Sequence, residues 1–131
     1  MTRIEIPLTH KIGEPNVNGV IFTKESYLKA FKKITDCGAG IPIVFGEDTD
    51  FMKKGLRATT TDISIMIGCA MNIKDDDITI ECNMIKVPYV DFDKNDYVLC
   101  TNCIADHIRG LEYDVKYIKS FSLYPKKDIK K

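Results

Sequence analysis

The chain has 131 residues, and its 19 basic and 19 acidic side chains give a formal net charge of zero. A protein whose main task is to bind nucleic acid or an anionic membrane needs a basic excess, so neither partner is expected. The length predicts a single domain over residues 1–131. The 44% hydrophobic content is that of an ordinary globular protein, which needs no cofactor, metal or disulfide to fold.

The cysteine content favours a reducing compartment. The chain has five cysteines, an odd number, and its first residues form no apolar leader. We therefore expect free thiols and no signal peptide. The longest wholly apolar runs are short, such as Ile65–Ile67, so no membrane-spanning segment is predicted.

The first elements in chain order are a strand and a tight turn. Ile4, Ile6 and Leu8 alternate with other residues, which is typical of a strand with one buried face. Asn18 and Gly19 follow in a segment rich in turn residues. Both residue types tolerate a positive φ, so they predict a tight turn.

One main helix is predicted over about residues 24–35. Thr23 is a suitable N-cap, and Glu25 lies in the first turn, where a carboxylate suits the helix dipole. Apolar residues recur at helical spacing along one face: Tyr27, Leu28, Phe31 and Ile34. Gly38 and Gly40 are expected to end the helix.

A β-hairpin gives the clearest strand pattern. Apolar residues alternate along residues 65–73 and again along residues 78–84. A four-residue loop over residues 74–77 would set residue 73 opposite residue 78. In this register each inward-facing apolar side chain of one strand lies opposite an inward-facing apolar side chain of the other. This register places Cys69 directly opposite Cys82, and we expect both thiols to be packed and reduced.

The remaining elements are short. Strands are predicted at residues 41–45, 97–100 and 115–124, and a helical turn at residues 101–109. The whole indicates an α+β fold, a mostly antiparallel β-sheet or partly open barrel covered by the one main helix.

One motif has the spacing of metal ligands. Cys100, Cys103 and His107 offer two thiols and an imidazole, which zinc binds in a tetrahedral site. A fourth ligand would have to come from Cys37 or His10. The alternative is two small buried residues and a surface histidine, because a single Cys-x-x-Cys is a weak signal. No metal site is predicted, and these three residues are kept as candidates.

A second motif resembles the start of a calcium loop. Asp91, Asp93 and Asn95 have the spacing of the first ligands of an EF-hand. The later positions fail, because Asp96 stands where glycine is needed and Asn102 where a bidentate glutamate is needed. We interpret the run as a turn rich in Asp and Asn.

No convincing catalytic pair is present. Cys103 and His107 would lie on one face of a helix, and Ser122 would need His10 or His107 as its base. Nothing in the spacing of these residues selects either pairing, so no catalytic residue is predicted.

Three segments of the chain carry a series of recognisable motifs. Residues 14–31 contain a Pro-Asn-Val-Asn-Gly turn, a strand and a helix opened by Thr-Lys-Glu, and residues 41–47 and 118–125 are two later strand-like segments. In this order they resemble the N-terminal region, the next strand and the closing strand of tailed-phage prohead maturation proteases. The resemblance implies a small, barrel-like α+β fold and a His–Ser protease.

The chain departs from the family where the chemistry is expected. The family's histidine would fall in residues 48–52 and its serine just before Arg109 and Gly110, and neither is present. The resemblance then implies the scaffold without its chemistry: a non-enzymatic virion protein that decorates or stabilises the capsid or is attached to the head. Its partner would be the major capsid protein or another head protein, in a multi-copy assembly. The alternatives are an active prohead protease with a rearranged nucleophile and a small zinc-stabilised binding module.

Overall fold

The computed structural model describes residues 2–16, 18–45, 66–85 and 96–126. Within these ranges the chain forms one helix and seven strands. In chain order they are β1 (Thr2–Pro7), β2 (Ile21–Phe22), α1 (Lys24–Thr35), β3 (Ile41–Phe45), β4 (Met66–Ile73), β5 (Thr79–Met84), β6 (Tyr97–Arg109) and β7 (Glu112–Pro125).

The strands form one mixed sheet. Its order is β1-β5-β4-β3-β7-β2, and β6 pairs with β7 in addition. The predicted α+β class is confirmed, and most neighbours are antiparallel, but β2 and β3 both run parallel to β7. The sheet bends until Leu8, the residue after β1, forms a single bridge with Leu99 of β6, and the strands of the described ranges do not close into a barrel.

The helix has the predicted bounds. Phe31 is buried against the sheet, with its ring centroid 6.2 Å from that of Phe121 in β7. Thr23 occupies the N-cap position, but its side chain caps no backbone N–H. Its hydroxyl lies 2.6 Å from that of Ser26 instead. Among the described helical residues, no segment is long and apolar enough to cross a membrane.

One hydrophobic cluster lies between the helix and the sheet. Its largest fully buried side chains come from the helix and from every strand except β2: Ile6, Phe31, Ile41, Ile43, Ile67, Ile80, Met84, Leu99, Ile118, Phe121 and Leu123. Burial of such side chains is the main favourable contribution to folding. The segments that supply them therefore hold fixed positions.

The predicted register of the β4–β5 hairpin is wrong. Ile73 lies opposite Ile80, and a bulge between Ala70 and Asn72 shifts the pairing that follows. The turn lies one residue later than predicted, since the Lys74 N–H donates to the Thr79 carbonyl at 2.8 Å. The Asp76 carboxylate holds this turn by accepting from the Thr79 N–H and hydroxyl.

The later turn and the bulge together separate the two thiols that the sequence places opposite each other. Cys82 lies opposite Ala70, and Cys69 lies opposite Asn83. Neighbouring positions along a strand point to opposite faces of the sheet. Both cysteines are free, as expected, but they are not a cross-strand pair.

The predicted helical turn at residues 101–109 is wrong, because these residues belong to β6. They pair antiparallel with β7 as far as Arg109 and Glu112, around a turn at Gly110. Three register shifts interrupt the pairing. We call the outer part of this ribbon, residues 103–118, the β6–β7 arm. Long-range pairing with β7 overrides the local helical signal here.

Candidate functional site

The three candidate zinc ligands do not converge. They lie along β6, where Cys100 and Cys103 fall on opposite faces of the strand. Cys103 and His107 share a face but are four residues apart, about 13 Å along a strand. In the described ranges, no three His, Cys, Asp or Glu side chains are grouped as metal ligands.

The other proposed ligands have local contacts. His107 Nε2 lies 2.9 Å from the Gly110 carbonyl oxygen, and its ring packs edge-on against Tyr113. His10 Nδ1 lies 2.8 Å from the Thr9 hydroxyl, and burial lowers the pKa of this imidazole. The exposed Cys37 thiol donates to the Lys33 carbonyl in the last turn of α1.

The candidate nucleophiles are held in structural contacts. Ser122 accepts a hydrogen bond from the Asn102 side-chain amide at 2.8 Å, and Ser120 accepts one at 3.0 Å. Burial raises the pKa of the Cys103 thiol, which opposes formation of the reactive thiolate. The strand geometry of β6 also removes the helical spacing on which the pairing of Cys103 with His107 depended.

Two further sequence predictions lie outside the described residues. These are the calcium-like run at residues 91–95 and the stretch at 48–52 where the family's histidine would fall. The position of the family's serine, just before Arg109, is described and lies in β6 near the end of the arm.

Exposed apolar side chains are concentrated on the β6–β7 arm. Ile104 and Tyr117 lie directly opposite each other, and they are 53% and 47% exposed. Ile108 and Leu111 are exposed nearer the turn. These four residues are among the six large exposed apolar side chains of the described ranges, the others being Met66 and Ile85.

Charged side chains flank this apolar pair. Lys116 Nζ lies 2.6 Å from an Asp114 carboxylate oxygen and 3.9 Å from one of Asp106. The hydrogen bond and charge of Asp114 raise the pKa of the Lys116 ammonium. The outer face of the arm therefore presents an apolar centre beside largely paired charges, which suits contact with another protein surface.

The helix anchors the arm to the body of the protein. The Ser26 hydroxyl accepts a hydrogen bond from the buried Val115 N–H at 2.9 Å. The Tyr27 hydroxyl lies 2.7 Å from that of Thr101, and burial raises the pKa of this phenol. These bonds join α1 to both strands of the ribbon, so its exposed face is held in place before any partner binds.

A cleft of about 390 Å³ separates the helix from the edge of β7. Lys29 and Lys33 line one wall, and Asp114 and Lys116 line the other. Among the described residues, no buried side-chain nitrogen or oxygen lacks a hydrogen-bond partner. The cleft therefore presents mixed charge but no buried, unpartnered polar atom among the described residues.

The sequence does not predict the arm, because residues 101–109 have the local pattern of a helical turn. A signal was present: the two β-rich stretches flank Arg109-Gly110-Leu111, and Gly110 tolerates the positive φ that a tight turn requires. No family model, curated protein or solved structure matches this chain. The functional interpretation therefore depends on the geometry of the arm and on the sequence resemblance.

Proposed function

We propose that the chain is a non-enzymatic virion protein of a tailed phage, which decorates or stabilises the capsid or is attached to the head. The observation that carries this proposal is the cluster of exposed apolar side chains on the β6–β7 arm. Single exposed apolar residues are normal on a protein surface, but a group of them on one pair of strands indicates a surface that a partner covers.

The partner would be the major capsid protein or another head protein. Ile104 and Tyr117 would form the apolar centre of the contact, and Asp106, Asp114 and Lys116 its polar rim. A formal net charge of zero supports a multi-copy assembly, because neighbouring copies on a shell would repel one another little.

The sequence and the geometry of β6 also support a scaffold without protease chemistry. The sequence lacks a histidine at 48–52 and a serine just before Arg109, where the prohead proteases would have them. The alternative nucleophile Cys103 has a raised pKa and lies about 13 Å along the strand from His107. A zinc-stabilised module is disfavoured by the position of Cys100 on the other face of β6.

Quantitative mass spectrometry of mature particles of the encoding phage tests the proposal. We expect this chain in purified particles at a copy number comparable to that of the major capsid protein. Its absence from mature particles would contradict a decorating role. Its presence in immature proheads alone would favour the protease alternative instead.

A further inference from the structure

Among the described residues, the β6 strand has one paired edge and one edge that is open over most of its length. Its inner edge pairs with β7 from Tyr97 to Arg109. Its outer edge meets β1 only through the bridge between Leu99 and Leu8. Beyond that bridge, residues 103–109 have no strand partner on this edge among the described residues, and most of them are exposed.

The backbone of the arm shows which groups face the open edge. Val115 lies opposite Ala105, and its N–H donates away from β6, to the Ser26 hydroxyl. In an antiparallel ladder, some opposed residues form no backbone hydrogen bond with each other. Both residues of such a pair direct their backbone N–H and C=O groups away from the partner strand. Ala105 therefore presents its N–H at the open edge, and so do Cys103 and His107 by the two-residue repeat.

Up to His107 this edge has only one feature of the kind that prevents strand pairing, the charged side chain of Asp106. Natural edge strands are protected by proline, lysine or bulges. Residues 97–109 contain neither proline nor lysine. At the first two register shifts the extra residue is in β7, at Lys119 and Lys116, so β6 itself runs regularly as far as His107. An exposed and regular edge of this kind is suited to the addition of another strand.

We propose that the occupant of this edge is the same edge of a second copy, paired antiparallel about a two-fold axis at Ile104. Residues that present their N–H groups at the edge must lie opposite one another, which limits the possible registers. This register sets Cys103 opposite Ala105 and Asn102 opposite Asp106 of the second copy. A register centred on Asp106 would instead bring two carboxylates together, which is unfavourable.

Side chains and charge both favour a second copy. The two-fold at Ile104 joins the half-exposed Ile104 and Tyr117 of each copy into one apolar row of four side chains across the combined sheet. Cross-strand pairs of this kind stabilise sheets. The zero net charge of the chain removes the long-range repulsion that would oppose the approach of two copies.

Light scattering coupled to size-exclusion chromatography, under reducing conditions, tests the dimer. The unmodified chain should elute at twice its monomer mass of 14.9 kDa. Ala105→Pro removes one edge N–H from each copy without removing a bond to β7, so it should weaken the dimer roughly tenfold or more. Ala105→Val is the matched control, because it keeps the N–H at a similar side-chain size and should remain dimeric.

Cysteine cross-linking tests the register. Ile104→Cys, in a Cys37→Ser background, would place two thiols directly opposite each other, about 4.5 Å apart between Cα atoms, and should form a linked dimer on mild oxidation. Ile108 is similarly exposed but does not face itself in this register, so Ile108→Cys should link far more slowly. Circular dichroism would confirm that each variant is folded.

A monomeric unmodified chain at its highest soluble concentration would overturn the dimer. Equal linking of the Ile104→Cys and Ile108→Cys variants would overturn the register. The dimer does not depend on the proposed virion role. If the chain dimerises in solution but is absent from mature particles, only the virion role is contradicted.

Discussion

Ser26 is a small side chain with a long-range structural role. It accepts the Val115 N–H across 89 positions of sequence, and its own hydroxyl donates to the Thr23 carbonyl at 3.1 Å. Both Ser26 and the amide that it bonds are buried. The helix is thereby joined to the strand that carries the arm.

Replacing Ser26 by alanine should reduce the free energy of unfolding by about 1–3 kcal/mol, because the buried Val115 N–H would lose its acceptor. Urea denaturation followed by circular dichroism measures the change. Ser120→Ala is the control, since Asn102 would keep Ser122 as an acceptor, and it should cost less than about 1 kcal/mol. Equal losses in the two variants would contradict the special role of Ser26.

The sequence predicts that Ser26 lies in the first turn of the helix, but it does not predict the hydrogen bond with the Val115 N–H. Helix bounds at 24–35 follow from local spacing and from glycine at Gly38, whose positive φ ends the element. A bond to Val115 has no local signature, because no periodic pattern connects the first turn of a helix to a distant strand.

At the scale of the elements, alternation predicted the β4 and β5 strands but not their register. Matching every apolar residue with another assumed a regular ladder. The bulge near Met71 changes the alternation within β4, and the hydrogen bonds of Asp76 set the turn one residue later. Gly68 also affects the pairing of β4 with β5, because a Cβ at this position would lie 2.5 Å from the Asn83 carbonyl oxygen.

The arm is the element on which the proposed function depends, and its apolar centre can be tested directly. Tyr117→Ser should weaken binding to purified capsids about 30-fold, the effect of a central interface residue worth about 2 kcal/mol. Met66→Ser is the control, because Met66 is similarly exposed but lies on β4, outside the arm. Capsid co-sedimentation over a range of chain concentrations gives the two affinities.

Equal weakening by Tyr117→Ser and Met66→Ser would show that general surface hydrophobicity, not the arm, determines binding. Unchanged binding in the Tyr117→Ser variant would remove the arm from the capsid contact altogether.

At the scale of the whole molecule, two buried weakly acidic groups, the Cys82 thiol and the Tyr27 phenol, make the free energy of unfolding depend on pH. Burial raises the pKa of Cys82 from 9.0 to about 12. Above pH 9 the unfolded chain loses this proton while the folded chain keeps it. The free energy of unfolding should therefore fall by about 1.4 kcal/mol per pH unit from about pH 9 to about pH 12. Burial of Tyr27 also raises its pKa and adds to the loss at the upper end.

Cys82→Ala isolates the contribution of the thiol. This variant loses packing at every pH, but its further loss between pH 8 and pH 10 should be smaller than that of the unmodified chain by about 1.4 kcal/mol. Urea denaturation at the two pH values, with a reducing agent, makes the comparison. An identical loss in both proteins would show that Cys82 ionises normally in the folded chain.

The sequence predicted the fold class and helix better than it predicted the candidate site. The α+β class follows from one amphipathic helix among alternating strands. The parallel pairing of β2 and β3 with β7 could not be predicted, because it joins segments far apart in sequence. Cys100, Cys103 and His107 were a candidate site because of their spacing along the chain, and the pairing of β6 with β7 spreads this spacing along an extended strand.

Strand β7 pairs with three other strands, β2, β3 and β6, and this has a consequence for biosynthesis. Translation proceeds from the N-terminus, and β7 is the last of the described strands to be made. β1, β3, β4 and β5 can pair with one another earlier, but β3 and the helix gain their common neighbour only when β7 appears. A ribosome-bound chain would therefore present the open edge of β3 and the apolar face of α1 until β7 has been made, and an exposed apolar surface of this kind attracts chaperones.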